Sequence, residues 1–309
     1  MKKGKFRPRR KAAGWPLFIA LLIGLAGAIP AQERSAADDF NIPEFRLKKV
    51  EKMVEVNGRM LHCIAYGKGK PVIVLLSGLN APQDFWNALI RPVAEKTTVV
   101  TYDRSGCGRS QLGDLPPHGQ QAAADLKVLL EKIAAPGPYI LVGHSYGANV
   151  ARLFAAAHPA LVGGLILLDG QYPGILEEQK KALAGEDLAK LERMISSLKS
   201  KANPKSESDY LLATLEQAMQ AGPLPQVPFV VVTSGASRLS GIPLVFSEDG
   251  RQQLLRLSME LQKKTAAEIP GGEHIVLEEI GPTLHNEDPK PVVKIVKAML
   301  SRVRKGQKW

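Results

Sequence analysis

The segment Gly143-His144-Ser145-Tyr146-Gly147 constrains the fold of this chain more than any other, because of its setting. It follows the apolar run Tyr139-Ile140-Leu141-Val142 and precedes a helical pattern at Val150, Leu153, Phe154 and Ala157. A G-x-S-x-G turn between a strand and a helix holds its serine in a strained backbone conformation that only small flanking residues permit, and it lifts the hydroxyl clear of the sheet. Ser145 is the candidate nucleophile on that ground.

Short continuous apolar runs recur along the chain at Val72–Leu76, Thr98–Thr101, Leu165–Leu168, Phe229–Val232 and Ile275–Leu277. Continuous apolarity marks strands covered on both faces, as in a parallel sheet with crossover helices. The segments between them show helical periodicity, for instance Leu126, Leu129, Leu130, Ile133 and, near the end, Val292, Ile295, Val296, Met299, Val303. Ahead of these, Arg46–Val56 and Arg59–Tyr66 alternate loosely around Asn57-Gly58, the dipeptide of a two-residue hairpin turn. The expectation is an α/β chain with a mostly parallel eight-stranded sheet flanked by helices, in one domain over residues 45–304. A chain of 309 residues, 45% of them apolar, can bury such a core undivided.

About sixty residues separate Leu168 from Phe229, far more than a strand-to-helix connection needs. Helical spacing runs through Leu183, Leu188, Leu191 and Met194, then through Leu211, Leu212, Leu215 and Met219. Residues 170–226 therefore read as a helical cap, leaving from the carboxyl end of a strand, where ligands bind in open α/β sheets.

The net charge of +11 does not imply an acidic partner, since seven cations fall within the first eleven residues and removing them leaves +4. With aromatics at 6% and no basic cluster interleaved with them, a nucleic-acid surface is excluded. Thirteen mostly apolar residues, Leu17 to Ile29, follow the basic start and end in Ala26-Gly27-Ala28, so residues 1–31 have the form of an export signal. That run is short of the ~20 residues that span a bilayer, which favours export. Counting back to Ala12 gives eighteen residues and leaves open an uncleaved anchor, with membrane association through residues 12–29. Residues 32–44 read as a polar linker. Cys63 and Cys107 are the two cysteines; inert free thiols are favoured, and a Cys63–Cys107 bridge stays open. No metal-ligand spacing or phosphate-cradling Gly-Lys loop is present, so no cofactor or metal is implied.

Three local motifs in this order and setting resemble the α/β-hydrolase superfamily, in its serine-nucleophile, esterase- or lipase-like branch: Ser77-Gly78-Leu79, Tyr102 to Ser110 (Tyr-Asp-Arg-Ser-Gly-Cys-Gly-Arg-Ser), and the Ser145 turn. The resemblance implies an oxyanion hole built from the backbone N–H groups of Leu79 and Tyr146. It also implies a Ser-acid-His order with the acid after the sixth or seventh strand. No carboxylate follows the seventh strand until Glu248, whereas Asp169 follows the sixth, so Asp169 is the candidate acid. Asp103 and Arg104 lie in a loop that recurs whatever the substrate, and they read as loop staples.

The histidine is less determined. His62, His118, His144 and His158 read as structural, leaving His274 and His285. His274 opens the last strand at its amino end, so geometry selects His285, beyond that strand's carboxyl end. Relatives usually carry Gly-His there; this chain has Gly281-Pro282, and Pro282 cannot transfer a proton. Either His285 reaches Ser145 through a reshaped loop, or the fold is a catalytically inactive binding module. A register with Thr265–Ile269 as the strand and His274 at its end is a third option. The expectation is an exported serine hydrolase acting on a small ester or related small-molecule acyl substrate; a serine at the elbow argues against dehalogenase or epoxide-hydrolase chemistry, in which superfamily members use a carboxylate nucleophile.

Overall fold

The computed structural model describes residues 48–199, 205–235 and 244–306. The expected export segment, linker and anchor, residues 1–31, 32–44 and 12–29, lie outside them. Among the described residues no helix is long and apolar enough to cross a membrane.

Strands β1 (Lys49–Val56) and β2 (Arg59–Tyr66) form an antiparallel hairpin closed by Asn57 and Gly58, both at positive φ (47° and 81°). Positive φ at both central residues defines the turn whose twist matches that of paired strands. Beyond it come β3 (Ile73–Leu76), β4 (Val99–Tyr102), β5 (Tyr139–His144), β6 (Val162–Leu168), β7 (Phe229–Ser234) and β8 (Glu273–Leu277). The eight-stranded sheet has the order β1-β2-β4-β3-β5-β6-β7-β8, antiparallel through β4 and parallel from there.

Alternate residues of the central strands enter opposite cores, which explains their unbroken apolarity. Ile73, Leu75, Ile140, Val142, Ile166 and Leu168 pack with Leu89 and Val93 of α1 (Asn87–Ala94) and with the last helix. Val74, Leu76, Leu141, Leu165 and Val231 face Leu126 and Leu129 of α2 (Gly119–Lys132) and Phe154 of α3 (Tyr146–Ala157).

Between β6 and β7 lie α4 (Ile175–Ala182), α5 (Gly185–Lys199), a 3-10 turn (Glu207–Tyr210) and α6 (Leu211–Gln220). These helices share a third apolar cluster, with Ile175, Leu191, Ile195, Leu211 and Leu215 packed around Tyr146 and Val150 at the start of α3. The insertion is therefore seated on the strand-to-helix turn that carries Ser145. Helix α7 (Glu248–Ala266) follows β7 and joins that cluster through Leu254 and Leu261. Thr265 is in α7, which removes the register with a strand at Thr265–Ile269; the side-chain period there is helical, with Leu261 and Thr265 both buried one turn apart. Helices α8 (Leu284–Glu287) and α9 (Pro289–Arg304) end the domain.

The hairpin is bound to the body by a buried ion pair. Asp125 of α2 accepts both Arg59 Nη2 contacts (2.9 and 2.7 Å) together with Asn57 Nδ2 and Gln121 Nε2, both at 2.8 Å. Removing one member of such a pair leaves a buried uncompensated charge. Asp125→Ala is expected to lower unfolding free energy by about 3–5 kcal/mol in urea denaturation; a loss under about 1 kcal/mol, typical of exposed pairs, would contradict this role.

Candidate active site

Ser145 adopts φ 52° and ψ −116° between β5 and α3, a region that non-glycine residues rarely enter. Packing enforces it. A Cβ on Gly147 would stand 2.1 Å from the Leu76 carbonyl oxygen, and one on Gly143 would stand 2.5 Å from that of Gly147. The Ser145 N–H donates to Leu168 O at 2.9 Å, which pins the bend to β6. The hydroxyl is buried beneath the insertion and has no hydrogen-bond partner among the described residues.

The loop after β3 lies against this bend. A Cβ on Gly78 would come within 3.2 Å of His144 Nδ1 and 3.8 Å of Ser145 Cβ. Tyr146 is the first residue of α3, so its N–H has no intrahelical acceptor and is available to a ligand. Leu79, the next residue of that loop after Gly78, packs in the apolar cluster that holds Tyr146, and Ser77 is buried.

Asp169 stands at the carboxyl end of β6 with φ 45°; its N–H donates to Val232 O at 2.8 Å and its Oδ1 accepts the Ser234 N–H at 3.0 Å. It ties the ends of β6 and β7 at the carboxyl edge of the sheet. His274 lies within β8, paired with Val231, and its Nε2 is 2.8 Å from Thr233 Oγ1.

His285 is in α8, fully buried, and neither ring nitrogen has a hydrogen-bond partner among the described residues. It stacks on Trp86 (centroids 4.2 Å apart) and meets the edges of Phe85 and His144 at 4.6 and 4.8 Å. Its turn is held by Glu287, whose carboxylate accepts the N–H groups of Gly281 (2.7 Å) and Thr283 (3.2 Å) and the Thr283 hydroxyl (2.6 Å). The structure therefore brings Ser145, Leu79 and Tyr146 together, sets Asp169 at the same sheet edge, and leaves His285 hydrogen-bonded to none of them.

His144, next to Ser145 in the chain, is the residue of its turn whose ring meets His285. Its Nε2–H donates to Pro282 O at 2.9 Å, since a carbonyl only accepts; the neutral ring then presents Nδ1 as a lone pair, buried and without a partner among the described residues. Burial lowers the pKa of both rings, for His285 well below the ordinary value, with the neighbouring His144 adding to the effect. For His144 the Pro282 bond and the Asp169 charge oppose burial without reversing it.

The other histidines and Asp103 have structural partners. His62 bridges Asp103 Oδ2 (2.8 Å) and Glu51 Oε1 (2.9 Å), His118 caps α2 by accepting the Gln121 N–H, and His158 caps the end of α3. Asp103 also accepts the N–H groups of Gln83 and Arg109, at 2.6 and 3.0 Å, which staples its loop. Cys63 and Cys107 are unbonded and buried; burial pushes the Cys63 thiol up to about 12 and raises that of Cys107 too, so neither is a ready nucleophile. No cluster of metal-ligating side chains exists among the described residues.

The family model described as the Alpha/beta hydrolase family matches residues 73–295, from β3 into the last helix. The chain belongs to this family. The uncharacterized protein YqjL of Bacillus subtilis is 30% identical over 122 residues, 39% of this chain and 48% of YqjL. Epoxide hydrolase 4 of Mus musculus is 28% identical over 131 residues, 40% of this chain and 35% of that protein. The chain thus spans less than half the length of these curated relatives. A thermophilic esterase from Thermogutta terrifontis, solved with malate bound, shares the fold with a TM-score of 0.58 and 21% identity, over 83% of this chain and 99% of the esterase.

Two residues at the site carry more than their sequence positions suggest. His144, read as structural, stands beside the nucleophile with an uncommitted lone pair, and the only signal for it was its place inside the Ser145 motif. Glu207 of the insertion reaches the loop after β3, accepting the Asn80 N–H at 2.9 Å, and no motif marks it.

The caged imidazole of His285 makes a thermodynamic prediction. An unmet buried donor or acceptor costs about 1–3 kcal/mol, so His285→Leu is expected to be at least as stable as wild type at pH 7. The ordinary pKa near 6.5 applies to the unfolded chain. A lowered folded value means that His285 binds its proton preferentially in the unfolded state as pH falls below that point. The wild type therefore loses stability from about pH 6.5 downward, and the gap in favour of His285→Leu should widen by up to about 1.4 kcal/mol per pH unit. Urea titrations at pH 7 and pH 5 that give the same gap would contradict the assignment.

Proposed function

We propose that this protein is an exported serine hydrolase that cleaves a small ester or related acyl substrate, with Ser145 as nucleophile and His285 and Asp169 completing a triad. One observation carries the reading: the backbone of Ser145 is held at φ 52° and ψ −116° by contacts that leave no room for a side chain at Gly143 or Gly147. Such strain is retained where it positions a reacting group.

In this reading the Ser145 oxygen attacks the acyl carbonyl, and the resulting oxyanion accepts the N–H groups of Leu79 and Tyr146. The hydroxyl proton passes to a neutral imidazole, which returns it to the leaving group. Water then attacks the acyl-serine, releasing the acid and restoring the hydroxyl. His285 meets this role once α8 turns its ring past His144, with Asp169 stabilising the imidazolium. The serine distinguishes this site from the carboxylate nucleophile of epoxide-opening superfamily members. The small-molecule substrate enters under the insertion. The seven N-terminal cations and the apolar run after them support export, with anchoring through residues 12–29 as its variant.

A second reading, a catalytically inactive binding module, is favoured by Pro282 standing where relatives carry histidine and by the aromatic cage around His285. Fluorophosphonate labelling separates the two. Wild type is expected to label, Ser145→Ala to lose the label and His285→Ala to lose most of it. An unlabelled wild type would establish the binding module, and labelling lost in His144→Ala but kept in His285→Ala would transfer the base to His144.

The lowered pKa of both rings also fixes a pH profile. The base works neutral, and a lowered value keeps it neutral to lower pH. The acid limb of kcat/KM is therefore expected below the ordinary histidine value of about 6.5. A limb at or above that value would contradict a buried imidazole base.

A further inference from the structure

Arg104 follows β4 on a loop and is 2% exposed, an unusual place for a guanidinium. Its Nη1 donates to Ser77 O at 2.7 Å and its Nη2 to Gly78 O at 2.6 Å. Its Nε and Nη2 grip the carboxylate of Glu207, the latter at 2.9 Å, and its Cζ lies 5.2 Å from the centre of the Tyr146 ring. Glu207 opens the 3-10 turn of the insertion and also accepts the Asn80 N–H at 2.9 Å.

The Gly78 carbonyl and the Leu79 N–H belong to one planar trans peptide and point in opposite directions. Anchoring that carbonyl on Arg104 therefore aims the Leu79 N–H away from Arg104. A charged donor on the carbonyl also polarises the peptide and strengthens its N–H as a donor. The same guanidinium lies over the ring of Tyr146, whose N–H is the other oxyanion donor. We infer that Arg104, clamped by Glu207 of the insertion, is the positioning residue of the oxyanion hole, and that this ion pair makes the insertion part of the hole's alignment. The inference rests on the serine-hydrolase reading above.

Neither partner is stable there alone. Burial works against the Arg104 charge, but Glu207 more than offsets it and holds the guanidinium above its ordinary value. Without Glu207 the buried cation is uncompensated, and of the two donors on the Gly78 carbonyl only the Ala81 N–H, at 3.1 Å, stays in place, so the Gly78–Leu79 peptide is less firmly oriented. Loss of alignment acts on a charge that exists only in the transition state, so it should lower kcat and leave KM nearly untouched.

The test is steady-state hydrolysis of p-nitrophenyl acetate by the full chain, with inhibition by an aryl boronic acid, whose adduct on Ser145 mimics the tetrahedral state. Glu207→Gln and Arg104→Lys are expected to reduce kcat about 10–100-fold, somewhat less than deletion of an oxyanion donor. KM should stay within about twofold and boronate affinity should fall in step with kcat. Unchanged kcat in both variants, or a loss shared equally by KM, would overturn the inference. If the single variants unfold, Arg104→Leu/Glu207→Leu removes both charges together and carries the same criteria. A wild type that neither hydrolyses the ester nor labels with fluorophosphonate overturns the hydrolase reading itself. A labelled wild type with fully active variants overturns this inference alone.

Discussion

The architecture of the site depends on one close approach, the crossing of α3 over the end of β3. The Leu76 carbonyl lies where any side chain at Gly147 would have to go, and the turn is further held by the hydrogen bond from Ser145 to Leu168. Strand and helix can be this near only if the residue between them accepts positive φ. Everything around the hydroxyl inherits that constraint: the loop after β3 is brought against Ser145 Cβ, Tyr146 becomes the first residue of α3, and Val150 presents its side chain to the insertion. The strain is sustained by the two cores on either side of the sheet, whose packing would have to loosen before the turn could relax.

Polar groups at this edge divide into two kinds. Asp103, Arg104, Asp125 and Glu207 are buried with their hydrogen-bonding capacity matched, and each links segments far apart in sequence. The Ser145 hydroxyl, the Nδ1 of His144 and both nitrogens of His285 are buried without partners among the described residues. Native structures rarely leave such groups unmet, and a catalytic role is one reason that they do. The unmet groups lie side by side on the elements around the elbow. In the proposed reaction a neutral imidazole here is the general base, and the Glu287 carboxylate fastens the turn that carries His285.

Much of this was legible in the sequence because it is written in local patterns. The hairpin at Asn57-Gly58, the unbroken apolarity of β3, β5 and β6, and the glycines around Ser145 each reflect a requirement met within a few residues. The length and periodicity of the segment after Leu168 likewise revealed its helices. What could not be read was the pairing of distant side chains. Nothing near Glu207 announces that it will meet Arg104 more than a hundred residues earlier, and nothing near His285 shows that its ring turns toward Trp86. The start of β8 was not legible either: His274 reads as its opening residue in the sequence, whereas the strand begins at Glu273, a polar residue on a half-buried edge strand where apolar runs give no signal.

The central claim is that the strained serine forms a covalent bond with an acyl group. Rapid acid quench of the protein mixed with p-nitrophenyl acetate, followed by peptide mapping by mass spectrometry, tests it directly. The account predicts one acetyl group, carried by the peptide that contains Ser145 and absent from the Ser145→Ala protein. Acetylation confined to lysines elsewhere, or none above the level seen in the Ser145→Ala protein, would contradict it.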